Sequence, residues 1–519
     1  MKHLFIALFF FSLVRVSAQP TWADNVAPIL YANCTKCHNP NGIAPFPLIT
    51  YNDASTMSYY IGNAVGIGKM PPWPPDTTYQ RYAHERILSA SEKQTILDWV
   101  AAGAPSGNLA NAPTPPVYTG AAEMLTPDVT LAMPTYTVAS ATDLYRCFVV
   151  PSGVPQNEYI TEIEVVPGNR NIVHHVLIYQ DLQNTCITLD NNDPGPGYTS
   201  FGGPGSNTAN LIFGWVPGQG VYSLPPNMGI KLEANTNVIA QIHYPAGALG
   251  QTDSTKVLFK FSSGVVREVG LVAALNHFTN MTDGPLYIPA DSIKTFHEQE
   301  ASQLDATIIS VAPHMHLLGK QIRSWAITPT NDTIPFIHVP NWNFMWQGSY
   351  TLRQLVHVPF GSQLYAEATF DNTAANTYNP NSPPQPVAAG ESTTDEMMLV
   401  YFAYTQYQLG DENIITDSSA FTLLPELQNT IVQTAQLYDP YPSPANDRVS
   451  VSYFVPAKGK LKMELIDITG KIIAVPLDNE TEAGFGSLPV ALSDLPAGTY
   501  ILRLVHNNTV RSKKIVVQR

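Results

Sequence analysis

Histidines spaced for metal binding are the most informative residues of this chain. His314 and His316 stand one residue apart in the segment APHMHLLGK, directly after the apolar run from Ala306 to Val311. That run is rich in Ile, Val and Thr and predicts a strand. Because side chains at i and i+2 of a strand project from the same face, the two imidazoles could hold one metal ion. The alternative is a pair of half-exposed strand histidines that bind nothing.

Other candidate ligands lie far away along the chain. His174 and His175 are adjacent in NIVHHVLIY, and His243 stands alone in QIHYP. Adjacent histidines on a regular strand face opposite ways, so both can reach one metal only if the strand bends or one ring uses its other nitrogen. Met397 follows two carboxylates in TTDEMM and is by default a core residue. A thioether beside two imidazoles nevertheless suits copper that cycles between Cu(I) and Cu(II).

A second metal chemistry is indicated near the start of the chain. Cys34, Cys37 and His38 form a C-x-x-C-H sequence, which is typical of c-type haem attachment. Both thiols bind the haem covalently, and the histidine becomes an axial iron ligand. Met70, in the proline-rich segment GKMPPWPP, is the candidate sixth ligand, and Met57 is its rival. A redox-active dithiol is the alternative interpretation.

Export is predicted from residues 1–18, which have the basic start, apolar core and small-residue cleavage site of a signal peptide. The apolar core is too short to span a membrane, and we find no later candidate for a transmembrane segment. In an oxidising compartment, Cys147 and Cys186 are expected to form a disulfide. Two free buried thiols are the alternative.

The composition indicates a mainly β protein of several domains. The chain has 519 residues, of which 44 are Pro and 33 Gly, and short β-branched runs recur between turn residues. The net charge of −14 argues against nucleic acid and anionic membrane surfaces as partners. We interpret that charge as a contribution to solubility.

One helical part is expected before the strands. Residues 19–108 contain the haem motif and a helix from Thr95 to Ala101, capped by the segment that starts at Ser91. This unit resembles a small cytochrome c domain through its C-x-x-C-H and M-P-P-W motifs. Residues 109–124 are rich in Pro, Ala and Thr and are interpreted as a linker.

Between residues 125 and 425 the chain resembles the copper type II, ascorbate-dependent monooxygenases, relatives of peptidylglycine α-hydroxylating monooxygenase and dopamine β-monooxygenase. The resemblance is carried by H-H, Q-x-H-Y, H-x-H-x-x-G-K and D-E-M, in that order. It implies two jelly-roll-like β-sandwiches, residues 125–268 and 269–425. Each would contribute one copper site across a solvent-filled cleft.

The resemblance also implies the two ligand sets. The copper of the first sandwich would transfer electrons and be bound by three imidazoles, those of His174, His175 and His243. The copper of the second sandwich would activate dioxygen and be bound by His314, His316 and Met397, with Met398 as the rival ligand. Cys147 falls where the family has a disulfide cysteine, which supports its pairing with Cys186.

Departures from the family concern the substrate. The arginine that grips a substrate carboxylate in the peptide-amidating branch is replaced by Ala312, and an asparagine near the ligand methionine is replaced by Leu399. The family's tyrosine remains as Tyr401, the catalytic candidate. A lost guanidinium removes a bidentate carboxylate clamp, so we expect a small, apolar substrate together with O2. Ascorbate is the family's reductant, and the fused haem is hypothesised to relay electrons here.

The last part, residues 438–519, resembles the C-terminal sorting domain of type IX secretion cargo. Its motifs are PSPAN, GTY and a final Lys pair. The resemblance implies a small β-sandwich that is recognised by the type IX secretion machinery and normally removed at the outer membrane. The protein would then be secreted or attached to the outer cell surface. An ordinary adhesive β-domain is the alternative.

Two other functions stay open from sequence alone. One is an electron-transfer or scavenging protein that binds haem and copper without hydroxylase activity. The other is a non-catalytic surface-binding protein built on paired β-sandwiches. The first predicts no substrate-dependent oxygen uptake by the copper-loaded protein, and the second predicts no stoichiometric copper.

Overall fold

The computed structural model describes residues 19–118, 122–124, 126–417, 435–437, 440, 445–455, 458–481, 484–507 and 509–518. The predicted signal peptide, residues 1–18, lies outside the described residues. The chain divides into two compact units, Met1–Asp417 and Ser418–Arg519. The first contains a helical segment and two sets of β-sheets, which we call the first and second β units.

The helical segment opens the described chain. It comprises a π-helical turn (Trp22–Val26), α1 (Ala27–Asn33), α2 (Tyr51–Thr56), α3 (Ser58–Gly66) and α4 (Ala90–Ala101). Trp22 and Trp99 are buried in its core, with ring centroids 6.3 Å apart. Among the described helices, none has the length and apolar character needed to cross a membrane.

The cap of α4 differs from the sequence prediction. Ser89, not Ser91, precedes the helix, which therefore begins earlier than expected. The Ser89 hydroxyl accepts a hydrogen bond from the Glu92 N–H at 3.2 Å, and the Glu92 carboxylate accepts one from the Ser89 N–H at 2.8 Å. Both Ser89 and Ser91 are followed three residues later by a side chain that could complete a capping box, Glu92 and Gln94 respectively. The pairing of Ser89 with the charged Glu92 places a carboxylate in the first turn, where the helix dipole favours it.

The first β unit encloses one hydrophobic core between two main sheets. Its elements are β1 (Val129–Ala132), β2 (Tyr136–Thr137), β3 (Leu144–Pro151), β4 (Glu158–Val166), β5 (His175–Asp181), α5 (Thr185–Asn192), β6 (Tyr198–Thr199), β7 (Ala209–Trp215), β8 (Tyr222–Ser223), β9 (Met228–Leu232), β10 (Asn237–Tyr244), β11 (Thr252–Asp253), β12 (Lys256–Phe261) and β13 (Arg267–Glu268). One sheet has the order β1-β12-β4-β9-β13, with β8 beside β4, and the other the order β6-β3-β10-β5-β7. Strand β10 is buried along its whole length because β3 and β5 flank it.

The second β unit repeats this plan with two four-stranded sheets. Its strands are β14 (Gly270–Asn276), β15 (Tyr287–Ile288), β16 (Ile293–Ala301), β17 (Ala306–Met315), β18 (Gly319–Ile327), β19 (Thr333–Val339), β20 (Tyr350–Val358), β21 (Gln363–Asp371), β22 (Val387–Ala388) and β23 (Met398–Gln406). The orders are β14-β23-β17-β20 and β16-β21-β18-β19. Phe370 and Phe402 are buried in the shared core. The expected mainly β class is confirmed, and the jelly-roll-like layout stays a prediction.

The segment that contains Trp73 and Tyr82 packs onto the second β unit. The sequence analysis had assigned this segment to the separate helical unit of residues 19–108 and did not predict the contact. The Trp73 ring contacts the rings of Tyr82 and Tyr350 at centroid distances of 6.1 and 5.4 Å. Tyr82 bridges to Leu352, and its hydroxyl donates to the Phe336 carbonyl at 3.0 Å. The tryptophan of the M-P-P-W motif is therefore anchored against the second β unit.

The predicted disulfide is not formed in the structure, where all four cysteines are free. Cys147 and Cys186 are both fully buried in one cluster with Tyr198. The Tyr198 hydroxyl donates to the Pro204 carbonyl, to which the Cys186 thiol also points at 3.6 Å. Burial raises the pKa of Cys147 to about 12 and that of Cys186 to about 11, so both thiols stay protonated.

The C-terminal unit is also built from strands. They are β24 (Gln436–Leu437), β25 (Arg448–Val455), β26 (Gly459–Asp467), β27 (Ile472–Thr481), β28 (Gly484–Ala491), β29 (Gly498–His506) and β30 (Thr509–Val517). They form a sheet with the order β24-β25-β28 and a sheet with the order β27-β26-β29-β30. The two sheets share one hydrophobic core.

Replacement of Phe370 by alanine tests the core of the second β unit. Phe370 is fully buried and meets the Phe296 ring at 5.9 Å, so Phe370→Ala is expected to destabilise this unit by about 3–5 kcal/mol. Phe360→Ala, at a position that is 61% exposed, is the control and should change stability by no more than about 0.5 kcal/mol. Scanning calorimetry measures both, and equal effects would contradict the assignment of this core.

Candidate metal centres

Three imidazoles of the first β unit converge on one point. The Nδ1 atom of His174 lies 3.3 Å from Nδ1 of His175 and 3.2 Å from Nδ1 of His243. All three candidate ligand atoms lie within 4.8 Å of one another. The structure therefore brings together the three residues of the first predicted ligand set.

The backbone explains how adjacent histidines can share a centre. His175 is the first residue of β5 and lies opposite His243 of β10. His174 precedes the strand, and its N–H donates to the His243 carbonyl at 2.9 Å. Because His174 lies outside the regular pleat, its ring escapes strand alternation. The Nδ1 atom of each ring then points toward the shared centre. None of the three rings has to use its Nε2 atom instead, which was the alternative considered from the sequence.

This arrangement fits a first-row transition metal. Imidazole nitrogens lie about 2.0 Å from such an ion, which in tetrahedral geometry separates two ligand nitrogens by about 3.3 Å. The observed Nδ1 separations of 3.2 and 3.3 Å match that spacing. The donor set contains no carboxylate or thiol, so it suits copper or zinc rather than calcium or magnesium.

The surroundings of these rings are buried and include one carboxylate. Burial, followed by the nearby His243, lowers the pKa of His174 to about 4, and burial also lowers the pKa of His175. The Asp143 carboxylate lies 3.6 Å from Nε2 of His243, and the Tyr145 ring stacks on the same imidazole at 4.3 Å. At this distance Asp143 makes no hydrogen bond with His243, whose buried Nε2 atom has no partner. Asp143 therefore acts on the imidazole through its charge, while the stacked Tyr145 ring restricts the orientation of the imidazole.

The second centre has two imidazoles that present their Nε2 atoms. The rings of His314 and His316 lie 5.1 Å apart at 87°. Nδ1 of His314 donates to Oε1 of Gln347 at 2.5 Å, and Nδ1 of His316 donates to the Asp395 carbonyl at 3.1 Å. These partners leave both Nε2 lone pairs free for a metal. Burial, followed by the neighbouring His316, lowers the pKa of His314 to about 3.

Strand register places Met398 away from the histidine side. In the antiparallel pair of β17 and β23, His314 lies opposite Leu399, and Met315 lies opposite Met398. Opposed residues share a face, so Met398 belongs to the Met315 face. Met398 is fully buried in the core cluster that also contains Met315. Met397 precedes β23, so strand alternation does not assign its face. It stays the predicted ligand because Met398 is part of the core.

Glu396 ties the two strands of this centre together. Its carboxylate accepts hydrogen bonds from the backbone N–H groups of His316 at 3.0 Å, Leu318 at 2.6 Å and Met397 at 3.2 Å. It is fully buried, and burial raises its pKa to about 8, against the three donors that favour the ionised form. One side chain thus positions the backbone of two candidate ligands.

Residues next to the second centre form an apolar wall with one hydroxyl. Ala312 lies opposite Tyr401 in the register that pairs His314 with Leu399. All four residues therefore project from one face of the sheet. Burial raises the pKa of Tyr401 to about 12, so its hydroxyl stays protonated at neutral pH.

The sequence analysis missed several residues of the second centre. The indole Nε1 of Trp342 donates to the His316 carbonyl at 3.2 Å, and Gln347 contacts His314 as described. His277 accepts the Met398 N–H at its Nδ1 atom, at 3.2 Å. The signal for the first two was the segment NWNFMWQ, which has too many aromatic residues for an ordinary turn.

The predicted haem residues lie at the end of α1. Cys34 caps the helix, and the His38 N–H donates to the Cys34 carbonyl at 2.9 Å. Nδ1 of His38 donates to the Phe46 carbonyl at 3.0 Å, which leaves Nε2 available to a metal. Met57 packs against the helical core beside Cys34, and Met70 is half-buried. The choice between Met57 and Met70 stays open.

Family comparisons match three segments of the chain. Residues 129–248 match the model described as copper type II ascorbate-dependent monooxygenase, N-terminal domain, and residues 292–419 match the C-terminal domain of the same family. Residues 440–518 match the secretion system C-terminal sorting domain. Each candidate copper ligand lies within one of the first two segments. The sorting domain indicates export and attachment at the cell surface.

Individual relatives are distant. The chain is 24% identical over 272 residues to DBH-like monooxygenase protein 1 of Gallus gallus, a match that covers 48% of this chain and 42% of that protein. For the Homo sapiens protein of the same name, identity is 23% over 268 residues, with the same coverages. The chain thus spans less than half the length of these relatives.

Solved structures give only weak similarity. PNGase F, a glycosylasparaginase from Flavobacterium meningosepticum, is 10% identical, covers 54% of this chain and 97% of its own, and has a TM-score of 0.22. A score this low supports no inference about the fold.

Removal of the Glu396 carboxylate is expected to weaken metal binding at the second centre alone. Loss of a buried group that orients ligands lowers metal affinity by about 10–100-fold, so Glu396→Ala should retain one copper per chain after dialysis. Glu391→Ala, at an exposed position five residues earlier, should retain two. Metal analysis by mass spectrometry measures both variants. Two tightly bound coppers in folded Glu396→Ala would contradict the assigned role.

Proposed function

We propose that this protein is an exported copper monooxygenase that hydroxylates a C–H bond of a small organic substrate with O2. The observation that supports it most directly is the convergence of His174, His175 and His243, three imidazoles with the spacing of metal ligands. His314 and His316 provide a second centre, which lies near the first because the Phe344 ring contacts both His174 and His316. Both centres lie within segments that resemble copper type II monooxygenase domains.

Different ligand sets give the two centres different roles. Copper would supply one-electron redox chemistry at both centres and dioxygen activation at the second. The three imidazoles of the first centre hold a nearly fixed geometry, which suits electron transfer. The thioether of Met397 favours the reduced ion that reacts with O2. Hydroxylation places one oxygen atom in the substrate and the other in water, and it consumes two electrons and two protons.

The substrate is expected to be apolar and uncharged near its reactive carbon. Ala312 and Leu399 line the face of the second centre, and neither can bind a carboxylate. Tyr401 supplies a hydroxyl on that face, and as a protonated phenol it can donate a hydrogen bond to a bound substrate. Compounds with benzylic C–H bonds meet these requirements. Peptide amidation is not proposed, because the guanidinium clamp is missing.

A covalent haem on Cys34 and Cys37 is the proposed electron relay. The free Nε2 of His38 fits an axial ligand, and Lys36 and Arg170 line a cavity of about 150 Å³ beside Cys37. These cations suit the haem carboxylates. Ascorbate, the reductant that the matched families imply, would then deliver electrons to the haem or directly to copper.

The haem motif packs next to β7, the strand that pairs with β5 beside the first centre. A Cβ atom added to Gly218 would lie 3.1 Å from Sγ of Cys37, so the motif packs directly on the segment after β7. In β7, Trp215 pairs with Val176, the neighbour of His175. This route supports transfer from the haem to the first copper.

Export brings the enzyme to the outside of the cell. The sorting domain is proposed to engage the type IX secretion machinery and to be removed at the outer membrane. The predicted reductant and O2 would both reach the protein there.

Paired methionine variants test the assignment of the second centre. Met397→Leu removes the thioether and is expected to abolish substrate-dependent oxygen uptake while the first copper is retained. Met398→Leu changes a buried methionine of nearly equal volume, so it should cost less than about 1.5 kcal/mol and preserve activity. Oxygen consumption against benzylic compounds measures both. Equal activities in the two variants would overturn the ligand assignment.

The relay is tested by stopped-flow mixing of reduced, copper-loaded protein with O2 and substrate. Haem oxidation should follow the turnover of the first centre. The Cys34→Ala/Cys37→Ala variant is the control, because it lacks covalent haem but keeps the copper ligands. Its turnover should depend on added ascorbate. If the absorption spectrum shows that the haem stays reduced during turnover, the proposed electron relay is contradicted.

A further inference from the structure

The connection between β19 and β20, residues 340–349, is bound to the backbone of the second centre. Its sequence, PNWNFMWQGS, contains three aromatic residues and a methionine. The Trp342 N–H donates to the Lys320 carbonyl at 2.8 Å, and its indole donates to the His316 carbonyl at 3.2 Å. A Cβ atom on Gly319 would lie 2.7 Å from the Trp342 ring, so the glycine of H-x-H-x-x-G permits this approach.

The same connection holds the other histidine of the second centre. Oε1 of Gln347 accepts from His314, while its amide group donates to the Phe344 carbonyl at 2.9 Å. Asn343 closes the turn by accepting the Met345 N–H at 2.9 Å. Hydrogen bonds at both ends of the turn therefore fix the position of Phe344.

The Phe344 ring lies between the two centres. Its centroid is 6.1 Å from the His174 ring, nearly parallel at 21°, and 6.0 Å from the His316 ring, at 90°. Phe344 thus contacts one imidazole of each ligand set. The distance between the ring centroids of His174 and His316 is therefore no greater than the sum of these two distances.

We propose that Phe344 is a positioning residue that sets the separation of the two metal centres. The inference rests on the proposed function only in requiring metal at both centres, and it does not depend on hydroxylation. The core of the first β unit also contains Ile309, Leu355 and Ala403 of the second unit, so an apolar contact already joins the two units. The phenyl ring of Phe344 adds a local contact with His174 and His316, where the two centres face each other.

The ring is also the wrong chemical type for a ligand. A phenyl group offers no lone pair and excludes water from the space it fills. It therefore keeps two cationic sites apart without competing for either ion. A tyrosine at this position could donate a hydrogen bond and hold a water molecule in that space, whereas a leucine would keep the apolar contact over a smaller volume.

The test is dipolar broadening in the EPR spectrum of full-length protein loaded with two equivalents of Cu(II). Wild type should give one well-defined interaction. Phe344→Ala should broaden the distribution of copper separations by about twofold or more, because the packing contact that positions the His174 and His316 rings is lost. Met345→Ala, at a neighbouring position that is 54% exposed, is the matched control and should behave as wild type. Phe344→Leu should give an intermediate result.

The outcomes separate this inference from the proposed function. An unchanged distribution in Phe344→Ala, with two coppers bound, would overturn the inference and leave the proposed function intact. Broadening in Phe344→Ala, together with no substrate-dependent oxygen uptake by copper-loaded wild type, would support the inference and overturn the monooxygenase. Fewer than two coppers per wild-type chain would overturn both.

Discussion

The antiparallel register of β17 and β23 is the constraint on which the second centre depends. It sets His314 opposite Leu399 and Met315 opposite Met398, so the His314 imidazole lies on one face while Met398 enters the core on the other. A slip of one residue would exchange these faces and bury the wrong side chains. Glu396 reinforces the register, because it binds backbone N–H groups on both sides of the centre.

Burial of the imidazoles is the second physical condition. Charged rings at these positions would lose their hydration and repel one another, so the pKa values of His174, His175 and His314 lie below that of a free histidine. Neutral, convergent nitrogens cost free energy in the absence of a cation. Metal binding repays that cost, and this links the stability of the sites to their function.

Spacing in the sequence was enough to predict the candidate ligands, because it reflects local backbone geometry. Strand β17 carries His314 as predicted but ends at Met315, so His316 follows the strand instead of lying in it. The start of β5 at His175, which frees the His174 ring from alternation, could not be read from the sequence, because it depends on pairing with β10. The same holds for Phe344 and Gln347, whose contacts arise from the path of a connection between distant strands.

Other differences also have a tertiary origin. The packing of Trp73 on the second β unit joins residues that are far apart in the chain. The thiols of Cys147 and Cys186 are free, although both are buried in one cluster with Tyr198. A cysteine count does not reveal whether two buried thiols are bonded.

The most direct test of two distinct copper centres is X-ray absorption at the copper edge, combined with anomalous diffraction from copper-loaded crystals. The account predicts two anomalous peaks per chain, one among the Nδ1 atoms of His174, His175 and His243 and one beside His314 and His316. It also predicts a sulfur scatterer for the reduced second site. A single peak, or two peaks with only nitrogen and oxygen neighbours, would contradict it.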